Sequence, residues 1–396
     1  MNAMDREAAV MFHTYKRLPL SIERGEGVFL YDTSGKKYLD LFSGVAVNAL
    51  GYAHPGILKA VHDQAGRYLH LSNYYLQDSQ LELAERLTRA SGYPRAFLAN
   101  SGTEAVEGAI KIARAWGADG LRKEILSFSN AFHGRTLGAL SLMDRSKYRD
   151  GFEPFLDHCK TLPFNDSIAL RGAIGDQTLA VILECIQGEG GIRPISAEFA
   201  STLNGLHTRF GFLLVADEIQ SGIGRTGKFF GFQHFDLEPD IVVVAKPIGG
   251  GLPLGAILGG ARVADTLKAG MHGTTFGGNP VACAAGAVVL REVVEGGVMQ
   301  NAAEVGQYMK DQLALIAADF PSLVSEVRGY GLMLGMELSE DGESFVTEMR
   351  EQGVLINCTD RKVLRFLPPL IIEREQVASG LKTLRSIFAS RIGQSR

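Results

Sequence analysis

The chain has 396 residues, 46% of them hydrophobic, enough to bury a large core in two or three structural parts rather than one small domain. Its 40 Lys and Arg against 44 Asp and Glu leave a formal net charge of -4, so no nucleic-acid surface or polybasic membrane patch is advertised, and small molecules or further copies of the chain are the expected partners. The 4 cysteines, Cys159, Cys185, Cys283 and Cys358, are scattered, form no C-x-x-C pair and accompany no histidine cluster, so no metal is expected and buried thiols in a reducing cytoplasm fit best.

The N-terminal MNAMDREAAVMFHTYKR lacks an apolar h-region, so no secretory signal is expected. From about residue 55 to 290, short β-rich runs alternate with helical patterns, the signature of βαβ units around a mostly parallel sheet. The predicted strands are AFLAN, EILSF, LAVILE, FLLVAD, IVVVA and GAILGG, and their near-continuous apolar character implies helices on both faces. The predicted helices are DSQLELAERLTRAS, TEAVEGAIKIARAWG, SAEFASTLNGLHTRFG and PVACAAGAVVLREVVEGG, the last with Pro280 near its start and a glycine pair at its end. After Gly297 two long amphipathic segments, NAAEVGQYMKDQLALIAADF and REQVASGLKTLRSIFASRI, flank the strand-like LMLGMEL and VLRFLPPLII, which reads as a smaller α+β domain. The expected division is an N-terminal segment 1–50 belonging to that smaller domain, a large domain 51–290 and a C-terminal part 291–396.

Some patterns are decoys. The twenty residues Ile241 to Gly260 carry one charge, Lys246, but 6 glycines with Pro247 and Pro253 break any spanning helix. Gly222, Gly224 and Gly227 have dinucleotide-fingerprint spacing, yet DEIQ intervenes after the strand and no helical pattern follows.

Other residues carry chemistry. Ser101 and Glu104 match a capping box, and Val106, Ala109, Ile110 and Ala113 mark one helical face, so a helix begins at about Thr103 directly after a strand. Gly102 and Thr103 therefore sit at a helix N-terminus suited to phosphate or carboxylate, though a capped helix alone explains the pattern equally. The strand in FLLVADEIQSG ends in the adjacent acids Asp217 and Glu218, and IVVVA delivers Lys246 to the same edge of the sheet. An apolar setting disfavours the ammonium form of Lys246 and lowers its pKa, which a Schiff-base nucleophile needs. An anion site, a carboxylate and such a lysine are the three requirements of pyridoxal phosphate.

Here the sequence resembles a known family. SGTEAVEGAIK, FHGRT, IQGEGG, DEIQSGIGRTGK, AKPIGGGLPLGA, HGTTFGGNP and VLRFLPPLII look like the class III, fold type I pyridoxal-phosphate aminotransferases, over nearly the whole chain. The resemblance implies a fold type I α/β architecture, the cofactor pyridoxal 5'-phosphate and a homodimer with shared active sites. It assigns the phosphate to Gly102 and Thr103, ring stacking to Phe132, and the DEIQ run of Asp217, Glu218, Ile219 and Gln220 to the cofactor. Asp217 would face the pyridinium nitrogen and Gln220 the phenolic oxygen. Lys246 becomes the attachment site and proton shuttle. Thr275 would reach the neighbouring subunit's cofactor phosphate, with Thr274 near the substrate.

Arg135 would hold a distal carboxylate and Arg365 the carboxylate beside the reacting amine. Glu189 resembles the family's gate, neutralising Arg365 for an ω-amine and swinging away for glutamate. The implied activity is ω-amino transfer from N2-acetylornithine to 2-oxoglutarate, giving glutamate, in arginine biosynthesis. Val45 stands where ornithine-specific members carry a tyrosine, which favours an N-acylated amine. Val106, Tyr52 and Pro247 depart from the commonest pattern, and succinylornithine, N-succinyl-diaminopimelate, ornithine and γ-aminobutyrate stay open as amines. A mutase, racemase or decarboxylase on the same fold would share the cofactor residues.

Overall fold

A computed structural model describes residues 3–394. All six predicted strands enter one seven-stranded sheet, ordered Arg95–Ala99, Gly255–Gly259, Ile241–Val244, Leu213–Asp217, Thr178–Leu183, Glu124–Phe128 and Cys159–Leu162. Alternate residues of its strands pack into two separate clusters, Val215 and Val243 on one face, Leu214 and Val242 on the other. Both faces are thus covered, which is why the strands read as unbroken apolar runs rather than alternating ones. Helix Gly102–Trp116 covers one face through Val106, Ala109 and Ile110. Helix Pro280–Val294 covers the other through Val289 and Val293.

The sheet is mostly parallel as expected, and two details lie beyond the sequence reading. Gly255–Gly259 runs antiparallel to both of its neighbours. Only the short turn Lys246–Gly249 and a loop separate it from Ile241–Val244, so no helix carries the crossover that parallel pairing needs. The edge strand Cys159–Leu162 has no counterpart among the predicted strands, because three half-buried residues around the exposed Lys160 give no apolar run to detect.

The N-terminal segment is woven into the C-terminal part. Strands Ile22–Glu26, Phe29–Asp32 and Lys37–Asp40 share a sheet with Val354–Leu355, which pairs parallel with Leu39 and Asp40. A second sheet orders Val324–Tyr330, Met333–Leu338, Val363–Phe366 and Asn357–Thr359. The VLRFLPPLII run is a strand only as far as Phe366, since Pro368 and Pro369 cannot donate to a ladder. No helix among the described residues is long and apolar enough to cross a membrane.

Helix Val298–Asp319 lies against the hairpin turn at Gly331 with no room for a side chain. A Cβ on Gly306 would lie 2.2 Å from the carbonyl carbon of Gly331, and one on Gly331 would lie 2.4 Å from the carbonyl carbon of Thr226. Backbone cannot yield as a flexible side chain does, so overpacking here costs about 1–3 kcal/mol. Gly306→Ala is therefore expected to lower the melting temperature measured by calorimetry. An unchanged melting temperature would refute the close approach.

Candidate active site

The carboxyl edge of the seven-stranded sheet bounds a cavity of about 450 Å³ whose lining includes Asp217, Lys246, Glu184, Gly102, Thr103, Phe132 and Arg135. Lys246 follows strand Ile241–Val244 in a left-handed backbone conformation, φ 48°, that turns the chain out of the sheet. Burial holds its amine below the ordinary lysine range, with Glu189 opposing the shift and Arg365 reinforcing it. A fraction of neutral, nucleophilic amine is thereby present at lower pH than on an exposed lysine.

Asp217, the last residue of strand Leu213–Asp217, is 3% exposed. Its Oδ2 meets His133 Nδ1 at 2.7 Å, and its Oδ1 accepts the backbone N–H of Ile219 at 3.1 Å. His133 is fully enclosed, and its Nε2 has no hydrogen-bond partner among the described residues. Burial alone would lower the imidazole's pKa, but the Asp217 carboxylate outweighs it and holds it above its ordinary value. Glu184 completes the group from the end of the adjacent strand, accepting the N–H of Phe132 at 2.9 Å and of Gly188 at 3.0 Å. Burial and then the nearby Asp217 push Glu184 above its ordinary range.

Helix Gly102–Trp116 begins where the sequence placed it, with Ser101 accepting the N–H of Glu104 at 3.3 Å. The Glu104 carboxylate does not reach back to Ser101; it accepts from the backbone and side-chain nitrogens of Asn100, both at 2.9 Å. The N-terminal turn still presents Gly102 and Thr103 to the cavity. Two glycines allow the surrounding backbones to close on it: a Cβ on Gly255 would lie 2.5 Å from the Ser101 carbonyl oxygen, and one on Gly134 would lie 2.2 Å from Thr103 Oγ1.

Arg365 and Glu189 are paired. Arg365 Nη1 donates to Glu189 Oε1 at 2.6 Å and to Gln220 Oε1 at 3.3 Å, with the arginine side chain 3% exposed. Burial alone would raise the Glu189 carboxyl, but the charge and hydrogen bond of Arg365 hold it below its ordinary range. Arg135 lines the cavity and is exposed, its guanidinium 4.2 Å from the Tyr148 ring centroid and 5.5 Å from that of Phe132, whereas Arg365 and Glu189 reach the lining only through Gln220.

The remaining predicted residues fall elsewhere. Glu218 does not line the cavity: it is fully buried, accepting the N–H groups of Gly231 at 2.7 Å and Phe232 at 2.8 Å and the Ser221 hydroxyl at 2.8 Å, and it organises the turn after the strand. Alternation past the strand end turns Glu218 away from the side that Asp217 occupies. Thr275 lines a second cavity with His70, Tyr74 and Phe97, and Thr274 joins it while accepting from the Asn100 side chain at 3.1 Å. Val47 rather than Val45 lines the first cavity. Sequence reading passed over Glu184, the final letter of LAVILE, and His133, inside the quoted FHGRT. A buried acid at a strand end was the available signal for the first; a lone histidine offered none for the second.

These residues fit a flat, anionic pyridine cofactor. A helix N-terminus suits its phosphate, a buried carboxylate its ring nitrogen, an aromatic face its plane and a poorly solvated amine its aldehyde.

Comparison with known proteins agrees. The family described as "Aminotransferase class-III" matches residues 10–388. The chain is 44% identical over 383 residues to the acetylornithine aminotransferase of Aquifex aeolicus, covering 96% of this chain and 99% of that one. Among solved structures, the ornithine aminotransferase of Toxoplasma gondii superposes with a TM-score of 0.94 at 30% identity, covering 99% and 95% of the two chains. The N-acetylornithine aminotransferase of Stenotrophomonas maltophilia gives 0.83 at 37% identity, covering 96% and 98%.

The depressed pKa of Lys246 has a measurable sign. In cofactor-free protein treated briefly with acetic anhydride from about pH 7 to 10, acetylation of Lys246 is expected to reach half its plateau at a lower pH than that of exposed lysines. Peptide mapping reads the two profiles. Coincident profiles, or one shifted upward for Lys246, would contradict the assigned environment.

Proposed function

Because the chain belongs to the class III aminotransferases, which work with pyridoxal phosphate, we propose that it moves the δ-amino group of N2-acetyl-L-ornithine to 2-oxoglutarate. The products are N-acetyl-L-glutamate 5-semialdehyde and L-glutamate, a step of arginine biosynthesis. The observation that carries this reading is the Arg365–Glu189 pair at 2.6 Å beside Lys246. A site that accepts both an ω-amine and an α-amino acid needs a cation that can be masked and unmasked. An arginine whose charge is paired to one carboxylate supplies that once the carboxylate withdraws. The 44% identity to an acetylornithine aminotransferase supports the amine.

When bound, pyridoxal phosphate carries the amino group between the two substrates and draws electrons from the carbon that loses its proton. The roles of the chain's own residues follow from their chemistry. Gly102 and Thr103 hold the phosphate, with Thr275 of HGTTFGGNP as the contribution to a partner subunit's site. Phe132 and Ile219 would confine the ring plane, Gln220 would serve the phenolic side, and Asp217, braced by His133, would face the ring nitrogen. Lys246 would hold the cofactor, and its Nζ would carry a proton as general base and then acid. Arg135 holds the distal carboxylate of either substrate, and Thr274 lies near it. Arg365 holds the α-carboxylate of glutamate once Glu189 withdraws.

In this reading residues 51–290 hold the cofactor, while 1–50 and 291–396 form the smaller domain that brings Arg365. The active form is a cytoplasmic homodimer.

Two measurements test the proposal. Purified protein loaded with pyridoxal phosphate, assayed for glutamate formation from 2-oxoglutarate, is expected to use N2-acetylornithine with a kcat/KM about tenfold or more above that for ornithine, γ-aminobutyrate and succinylated diamines. A profile led by one of those amines would reassign the substrate, and no glutamate with any amine would remove the activity. Arg135→Ala is expected to raise KM for both N2-acetylornithine and glutamate; an unchanged KM for both would remove its carboxylate role.

A further inference from the structure

The second half of the Arg365 fork is occupied too, and by a neutral group. Its Nε and Nη2 both donate to Asn357 Oδ1, at 3.0 and 2.7 Å, while only Nη1 faces Glu189 and Gln220. Two donors on one side-chain atom require an acceptor, so the amide oxygen must point at the guanidinium. The placement is set by register. In the sheet, Arg365 lies directly between Gly335 on one neighbouring strand and Asn357 on the other. Gly335 has no side chain, so of the two cross-strand neighbours only Asn357 can reach it. The same short strand also holds the gate's backbone, because Thr359 Oγ1 donates to the carbonyl of Glu189 at 2.8 Å.

We propose that Asn357 is the positioning residue that lets Arg365 serve two substrates, an inference that rests on the alternating amine specificity proposed above. Asn357 fixes the guanidinium in place whether or not Glu189 is paired to it, and because the amide is uncharged it leaves the positive charge for whatever carboxylate approaches Nη1. Glu189 in place masks that charge for the ω-amine substrate. Glu189 withdrawn exposes an arginine still held by Asn357 and Gln220, ready for the α-carboxylate of glutamate. A carboxylate at position 357 would pair with the Nε and Nη2 edge permanently and take the charge out of use. An apolar residue would leave the arginine free to leave its binding position, costing affinity through lost preorganisation.

Asn357→Asp is nearly isosteric and tests charge, while Asn357→Ala tests position. The two half-reactions are followed separately by the absorption change of the cofactor-loaded protein on adding glutamate or N2-acetylornithine. For Asn357→Asp, the ratio of kcat/KM for glutamate to that for N2-acetylornithine is expected to fall by about tenfold or more, through a higher KM for glutamate. Asn357→Ala should lower the ratio in the same direction by a smaller factor. Adding Glu189→Gln to Asn357→Asp should not restore the ratio, since the masking carboxylate remains. A ratio unchanged within about twofold in both single variants, a fall arising from the N2-acetylornithine side, or full restoration in the double variant would each overturn the proposal. Should the wild type prefer another ω-amine, that amine takes the denominator. The substrate assignment then fails, while the effect of Asn357 on glutamate is still read.

Discussion

Charge held out of water at one end of a sheet is the constraint on which the rest of the site depends. Lys246, Asp217, His133 and Glu184 line one cleft, Arg365 and Glu189 adjoin it through Gln220, and a lone buried charge there would be expelled or neutralised. Each is tolerated because another faces it. His133 answers Asp217 at 2.7 Å and Arg365 answers Glu189 at 2.6 Å. Glu184 faces Asp217 with a like charge and is pushed upward, with two backbone N–H groups and the His133 imidazole as its compensation. At Lys246 burial outweighs the neighbouring carboxylates of Glu189, Asp217 and Glu184, and the amine is held below its ordinary range.

The sheet sets where these groups can be. Parallel strands end at the same edge, so residues far apart in sequence, Glu184, Asp217 and Lys246, arrive together without any loop having to span the distance. The Gly255–Gly259 strand returns antiparallel past the Ser101 turn, and only a glycine at 255 admits the 2.5 Å approach that a Cβ would make to that carbonyl. Close backbone packing thus fixes the helix N-terminus relative to Lys246, because one strand, Gly255–Gly259, pairs with both the strand before the anion-holding turn and the strand before the amine.

What the sequence made legible follows the same physics. Lys246, Asp217, Gly102 and Thr103 stand where an apolar run stops, and an interruption of that kind is visible without coordinates. Adjacent acids are a different problem: Asp217 and Glu218 both follow an apolar strand, and only the local twist decides that one faces the cavity and the other the turn at Gly231. The role of His133 depends on a partner 84 positions away, and that of Asn357 on a strand register, neither of which leaves a periodic trace. Glu184 was hidden by being read as part of its strand. The gate pairing of Glu189 with Arg365 came from family likeness alone, since 176 positions separate them.

One side of the molecule remains unbalanced in an isolated chain. Tyr74 is 95% exposed, Leu76 91% and Phe276 58%, and Tyr74 adjoins the cavity that Thr275 lines. Apolar and aromatic side chains gathered on one surface are costly in water and are typical of a buried protein contact. A second copy seated on this face would remove that area from solvent. It would also give Thr275 a use that its own chain does not supply, because within one chain the residue stands apart from the cavity of Lys246. Dimerisation and completion of the phosphate site are therefore one hypothesis rather than two: an assembly that left Tyr74 and Phe276 exposed would also leave Thr275 without a role.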